Sequence, residues 1–403
     1  MPRFTSTELA GMTLAVLCGL VLIASRPAEA QTETVLYNFC SQPNCADGAN
    51  PTSRLTSDGK GNLYGTTYFG GIGSCIDDNG VGCGTVFELD RTGSETVLYS
   101  FTGGADGANA SGPVIFDSRG NIYGTAGGGA NGSGVVFELS PVGGNWTETV
   151  LYNFCSQAGC ADGEGPGNGL VMDTAGNLFG TTSAGGSGYT GTVFQLSQSG
   201  GTWTEQVLYN FPMFFGINFG LTMDAAGNIY FIGASSTLFE LSPNGSGGWN
   251  STVVYNLRAA VDTPTADNAG NLYGMTQTGN GGTAYKLSPV TKGKNKGKWI
   301  RKVLYTLRGG HEDLENPFGV AVLDGVGNIY GDLCNSCGKH AYASVFELVA
   351  PIGNGKYEEN VLWNFSGTDQ FPGNLILDSA GNLYGTFYSG GSNGYGLAFE
   401  VTP

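Results

Sequence analysis

The sequence is poor in charge. Only 12% of its 403 residues are charged, and the 17 basic side chains face 33 acidic ones. A net charge of −16 argues against nucleic acid as a partner, because phosphate binding needs clustered Lys and Arg. Histidine is nearly missing, with His311 and His340 the whole supply. Long apolar runs are also scarce. After residue 24 no segment is apolar enough to cross a bilayer as a helix, so no transmembrane segment is expected in the mature chain. No helix pattern follows the run Gly127-Gly128-Gly129, which excludes a dinucleotide fingerprint there. Low charge with 70 glycines would by itself suggest disorder. The 11% aromatic content and a regular strand pattern argue the opposite.

What is present is a repeat. The stretch Asp-x-x-Gly-Asn-hydrophobic-aromatic starts at Asp58, Asp117, Asp173, Asp224, Asp267, Asp324 and Asp378, at intervals of 43 to 59 residues. An apolar strand (a) precedes each copy, and the Asn-Leu-Tyr-Gly part forms strand b. A Val-Phe-Glu-Leu strand (c) and a Val-Leu-Tyr-Asn-Phe strand (d) follow. Four short strands in each of seven units predict an all-β fold, a seven-bladed β-propeller with four antiparallel strands per blade. The chain opens on a lone d strand at 34–39 and ends straight after a c strand. The N-terminal strand is therefore expected to close the C-terminal blade and remove the exposed edges. The repeated Asp and Gly suit a tight turn between strands a and b, which explains them without a metal.

Residues 11–24 form an apolar run of signal-peptide length, and Ala28-Glu29-Ala30 offers a cleavage site. Residues 1–30 are read as a signal peptide and 31–403 as a single domain, giving a secreted or cell-surface protein. Eight cysteines then remain, in four close pairs: Cys40/Cys45, Cys75/Cys83, Cys155/Cys160 and Cys334/Cys337. In an exported chain they read as local disulfides.

The unit Val-Leu-Tyr-Asn-Phe … Asp-x-x-Gly-Asn-Leu-Tyr-Gly-Thr-Thr … Gly-Thr-Val-Phe-Glu-Leu resembles the GloVer tandem repeat of bacterial exported proteins. Its best copies are 35–89 and 150–196, and the resemblance spans nearly all of 33–401. Blades four and five depart from it, with Phe231 in place of the Gly and Lys286 in place of the strand-c Glu. The resemblance implies export and repeat architecture, and it carries over no catalytic residue.

The long loops b–c and d–a share one face, and binding residues concentrate on loops held by a rigid scaffold. Candidate ligand contacts there are Tyr68, Asp106, Tyr189, His311, His340 and Tyr388, suited to stacking on sugar rings and bonding their hydroxyls. Cys334, Cys337, His340 and His311 allow a zinc site, but a disulfide with two surface histidines is the preferred reading. No metal or other cofactor is therefore expected. The aromatics Trp146, Trp203, Trp249, Trp299 and Tyr357, each just before strand d, are read as packing beneath the blades. Lys292, Lys294, Lys296, Lys298, Arg301 and Lys302 form a local basic segment, read as a solvated loop. The sequence thus points to a non-enzymatic binding protein for a polysaccharide or a cell-surface protein. A polysaccharide hydrolase or lyase using Asp77, Asp78, Glu312 and Asp313, or a structural envelope protein, are the alternatives.

Overall fold

Each Asp-x-x-Gly-Asn segment is a closed turn. In the computed structural model the Asp58 carboxylate accepts the Lys60 N–H at 2.7 Å, the Asn62 N–H at 3.1 Å and the Asn62 side-chain amide at 3.0 Å. The glycine before each Asn has positive φ, from +76° at Gly270 to +98° at Gly61. That conformation is open to glycine without steric cost. All seven copies repeat the pattern of Asp with Asn, so the aspartates hold turns.

The structure describes residues 31–77, 80–212, 220–277, 281–307, 317–335, 342–353, 355–365 and 370–403. Seven antiparallel sheets form the blades. In blade one, strand a is split into Ala49–Pro51 and Thr56–Ser57, and both parts pair with strand b, Leu63–Phe69. Strands c and d are Thr85–Leu89 and Glu95–Ser100. In blade seven, Gln370–Leu377, Leu383–Ser389 and Leu397–Thr402 are joined by Thr32–Asn38, which pairs with the last of them in the expected closing arrangement. The protein is a seven-bladed β-propeller.

Strand d explains the Val-Leu-Tyr motif. Regular alternation would point Leu and Tyr to opposite faces. Every blade has a register shift at this place, for example between Val136 and Phe137, where Leu151 is the extra residue opposite them. Such a bulge lets two successive side chains face the same way. Leu36 with Tyr37, Leu98 with Tyr99, and Leu151 with Tyr152 accordingly pack into the same apolar clusters.

The core is a set of wedges between neighbouring blades. One wedge combines Phe39 from the loop after the N-terminal strand with Leu55, Leu63, Phe87 and Leu89 of blade one and Ala398 of blade seven. The others repeat it around the ring. In five blades the strand-c Phe lies over the strand-b Gly. A Cβ on Gly65 would meet the Phe87 ring at 2.6 Å, so only glycine admits this packing. Blade four replaces the Gly with Phe231, which stacks on Phe239 at 5.4 Å. The tryptophans before strand d sit in the wedges as expected: Trp146, Trp203, Trp249 and Trp299 all pack partly buried.

Candidate functional site: the axial channel

Strands a and b of adjacent blades contact one another around the ring, so strand a lines the axis. At one position of strand b, four blades carry Thr66, Thr125, Thr181 and Thr386. These hydroxyls staple blades or strands together: Thr386 donates to the Ser53 carbonyl at 3.1 Å, and Thr125 to the Ser111 carbonyl at 2.9 Å. Blade six has Asp332 there instead.

Asp332 is 1% exposed, and neither carboxylate oxygen has a hydrogen-bond partner among the described residues. Burial drives its pKa well above the ordinary carboxylate value, and the nearby Asp262 adds to the rise. Burial of this kind favours the neutral, protonated form of the carboxyl over the charged one. Asp262, at the entry to strand a of blade five, is pushed up to about 6 by burial. Its own neighbour's N–H, on Thr263, binds it at 2.6 Å and opposes that rise, as does Arg54. Arg54 lies on the strand-a segment of blade one and is itself lowered by burial. Blades one and five are not adjacent, so the coupling of Arg54 to Asp262 runs across the channel.

Asn374 of blade seven completes the group. Its amide binds the Asp262 carboxylate, and its Oδ1 accepts the Val320 N–H of blade six at 2.6 Å. The residue before Val320 must be glycine, because a Cβ on Gly319 would lie 3.1 Å from Asp332 Oδ1 and closer still to Asn374. One guanidinium, one amide, one carboxylate that titrates in the mid-acid range and one carboxyl whose pKa is raised by burial thus share the axis. Together they form a buried polar cluster of donors and acceptors.

The loops anticipated as a binding face are built around buried aspartates. Asp47 accepts Tyr37 Oη at 2.8 Å, Ser41 N–H at 2.8 Å, Ser41 Oγ at 2.9 Å and Gln42 N–H at 3.1 Å. Asp162 repeats this with Tyr152, Ser156 and Gln157. Asp106 accepts Tyr99 Oη at 3.0 Å, Thr102 N–H at 2.7 Å, Thr102 Oγ1 at 2.5 Å and Gly104 N–H at 3.2 Å. Its acceptor sites are therefore committed to its own loop. Next to each aspartate the following blade brings a half-buried glutamate. Burial, helped by that aspartate, pushes Glu95 up to about 8, Glu148 to about 7 and Glu205 to about 8.

Other anticipated contacts are scattered. Tyr189 is 66% exposed and stands at φ +58°. Tyr68 is half-buried against Phe69, and its carbonyl accepts the Asn109 amide at 2.9 Å. The Tyr388 carbonyl accepts the Asn50 amide at 3.0 Å in the same way. His311, His340 and Cys337 lie outside the described residues, as do Asp78, Glu312 and Asp313. Cys40–Cys45, Cys75–Cys83 and Cys155–Cys160 are disulfides. Among the described residues no helix is long and apolar enough to cross a membrane, and no three potential ligands gather for a metal. The basic segment is interrupted, since Arg301 lies over the Tyr285 ring at 5.1 Å and donates to Thr283 at 3.0 Å. Sequence reading missed Asp332 and Asp262 as axial partners. The signal was the lone Asp in a column of threonines.

Fold and repeat together define a propeller built from one tandem unit. Residues 72–267 match the family model described as the Gloeobacter/Verrucomicrobia repeat, so this part of the chain carries that family's repeat. Among solved structures it is similar to selenomethionine-substituted virginiamycin B lyase from Staphylococcus aureus, at 13% identity, covering 93% of this chain and 99% of that one, with a TM-score of 0.57. It is also similar to an ulvan lyase bound to -[GlcA(1-4)Rha3S]-, at 11% identity over 84% of this chain and 91% of that one, with a TM-score of 0.50. At such identities the likeness shows the propeller fold alone. No curated protein matches the sequence.

Proposed function

We propose that the protein is an exported, non-enzymatic module that binds polysaccharide outside the cell. The observation that carries this reading is the axial group: a buried Asp332, with no hydrogen-bond partner among the described residues, in one group with Arg54, Asp262 and Asn374. Burying a polar group without a partner destabilises a fold, so its retention in place of a threonine has its explanation in binding. Tyr68, Tyr189, Tyr388, His311 and His340 are assigned to the surrounding loop face as secondary contacts. Asp106 serves that face by holding its loop. Residues 1–30 are assigned as the signal peptide, and the three disulfides suit an oxidising compartment.

A second reading rests on the same residues. A carboxylate titrating at about 6 beside a carboxyl whose pKa burial raises has the form of an acid–base pair for cleaving polysaccharide. The mature chain, 31–403, is incubated with insoluble bacterial and plant polysaccharides, and both retained protein and released sugar are measured. Retention without release, lost in Asp332→Asn and Arg54→Ala, supports the binding module. Release of soluble sugar overturns it in favour of the enzyme. Neither retention nor release leaves a protein partner or a purely structural role.

A further inference from the structure

A cleft of about 780 Å³ lies on the opposite face, among the a–b turns of blades three, four and five. Its lining includes Asp173, Asn177, Phe179, Gln195 and Trp249. This size and mix of aromatic and polar groups fit a small-molecule site.

The cleft sits where the repeat breaks its own rule. In six blades the strand-b aromatic is a tyrosine, and in blade three it is Phe179. The tyrosine hydroxyl normally binds the turn aspartate and, in several blades, the strand-c glutamate as well. Tyr384 reaches Asp378 and Glu400, both at 3.1 Å. Tyr330 reaches Asp324 at 3.4 Å and Glu347 at 2.9 Å. Tyr123 and Tyr230 bind their aspartates at 3.3 and 3.0 Å. Blade three lacks this hydroxyl, and its strand-c glutamate is replaced by Gln195.

Two acceptors are left short by that change. Asp173 Oδ2 receives the Asn177 amide at 2.7 Å and no hydroxyl. Gln195 spends its amide N–H on Ser197 Oγ at 3.0 Å, and its Oε1 takes no partner among the described residues. The neighbouring indole does not occupy the vacated position. Trp249 meets Phe179 edge-on at 5.6 Å, and Trp299 meets Tyr230 in the same way at 6.0 Å with the hydroxyl present. The Trp249 N–H also has no partner among the described residues.

We infer that this cleft is a second binding site, which takes an uncharged oligosaccharide with one ligand hydroxyl standing in for the missing tyrosine hydroxyl between Asp173 and Gln195. The exchange of Glu for Gln removes one carboxylate from a lining that keeps Asp173, Asp224 and Asp267. Lysine and arginine are missing from the lining, so an acidic sugar finds no counter-charge.

The test is a fluorescence titration of the mature protein with cellotetraose, xylotetraose, maltotetraose, chitotetraose and a tetragalacturonate. At least one neutral tetrasaccharide is expected to change the tryptophan emission saturably, and the charged one is not. Phe179→Tyr rebuilds the repeat's own hydrogen bonds, so it should melt no lower than the wild type while weakening binding at least tenfold. Trp249→Ala should abolish the signal. Absence of any neutral ligand, equal binding by Phe179→Tyr, or a preference for tetragalacturonate overturns the inference. Binding lost in Asp332→Asn and kept in Phe179→Tyr would place the sugar at the axis and also overturn it.

Discussion

The Thr386 hydroxyl donates to the Ser53 carbonyl at 3.1 Å, joining positions 333 residues apart. It clips blade seven to blade one at the seam, which the N-terminal strand completes on the outer edge. Removing residues 31–38 should leave blade seven with an open edge on strand c and abolish the single cooperative melt seen by circular dichroism. Thr386→Val should be milder, at about 1 kcal/mol by urea unfolding, the usual net worth of one such bond.

Asp332→Thr restores the residue most blades use. It removes a buried carboxyl that has no hydrogen-bond partner among the described residues and should raise the melting temperature, while reducing retention on polysaccharide. A variant that becomes less stable, or binds as before, would show that Asp332 is not held at the axis for a ligand.

Asp162 is fully buried and holds four donors. Asp162→Ala leaves Tyr152 Oη and the Ser156 and Gln157 N–H groups without their acceptor. The expected cost is about 2–3 kcal/mol in denaturant unfolding, from the unpaired buried donors. Tyr152→Phe removes only one of the bonds and should cost about 1 kcal/mol.

Stability should peak in mildly acidic solution. Glu95, Glu148 and Glu205 have folded pKa values raised from 4.5 to about 8, 7 and 8. The folded state therefore holds protons that the unfolded chain releases, and this contribution is complete below 4.5 and lost as pH rises through 7 to 8. Asp106 and Asp162 are shifted the other way by their hydrogen bonds. Their contribution is present above the unfolded value of 3.8 and lost as pH falls below it. Calorimetry across pH 3–9 should show a maximum between these limits, with the alkaline fall reduced in Glu95→Gln.

The architecture was legible because repetition averages out local ambiguity. Seven copies of one turn, each needing Asp and Gly for backbone reasons, gave the blade count, and the odd d strand at 34–39 gave the closure. The axial site was not legible, because Arg54, Asp262, Asp332 and Asn374 come together only when the ring shuts. The cleft was hidden for a related reason. Phe179 and Gln195 are ordinary strand residues singly, and their meaning appears only when Tyr384 and Glu400 show what the pair replaces. The cleft also lies on the tight-turn face, where each Asp and Gly already has a structural role in its turn.

Ring closure also sets a timetable for synthesis. Thr32–Asn38 is made early, yet its partner Leu397–Thr402 follows only after all the other strands of the ring. At roughly 5–20 residues per second the first strand waits on the order of half a minute with nothing to pair with. During that wait the six complete blades can stack in order. The propeller is thus assembled as an open arc and becomes a ring only in its final moments. A chain cut short by even one strand is a different object, an arc with two sticky ends.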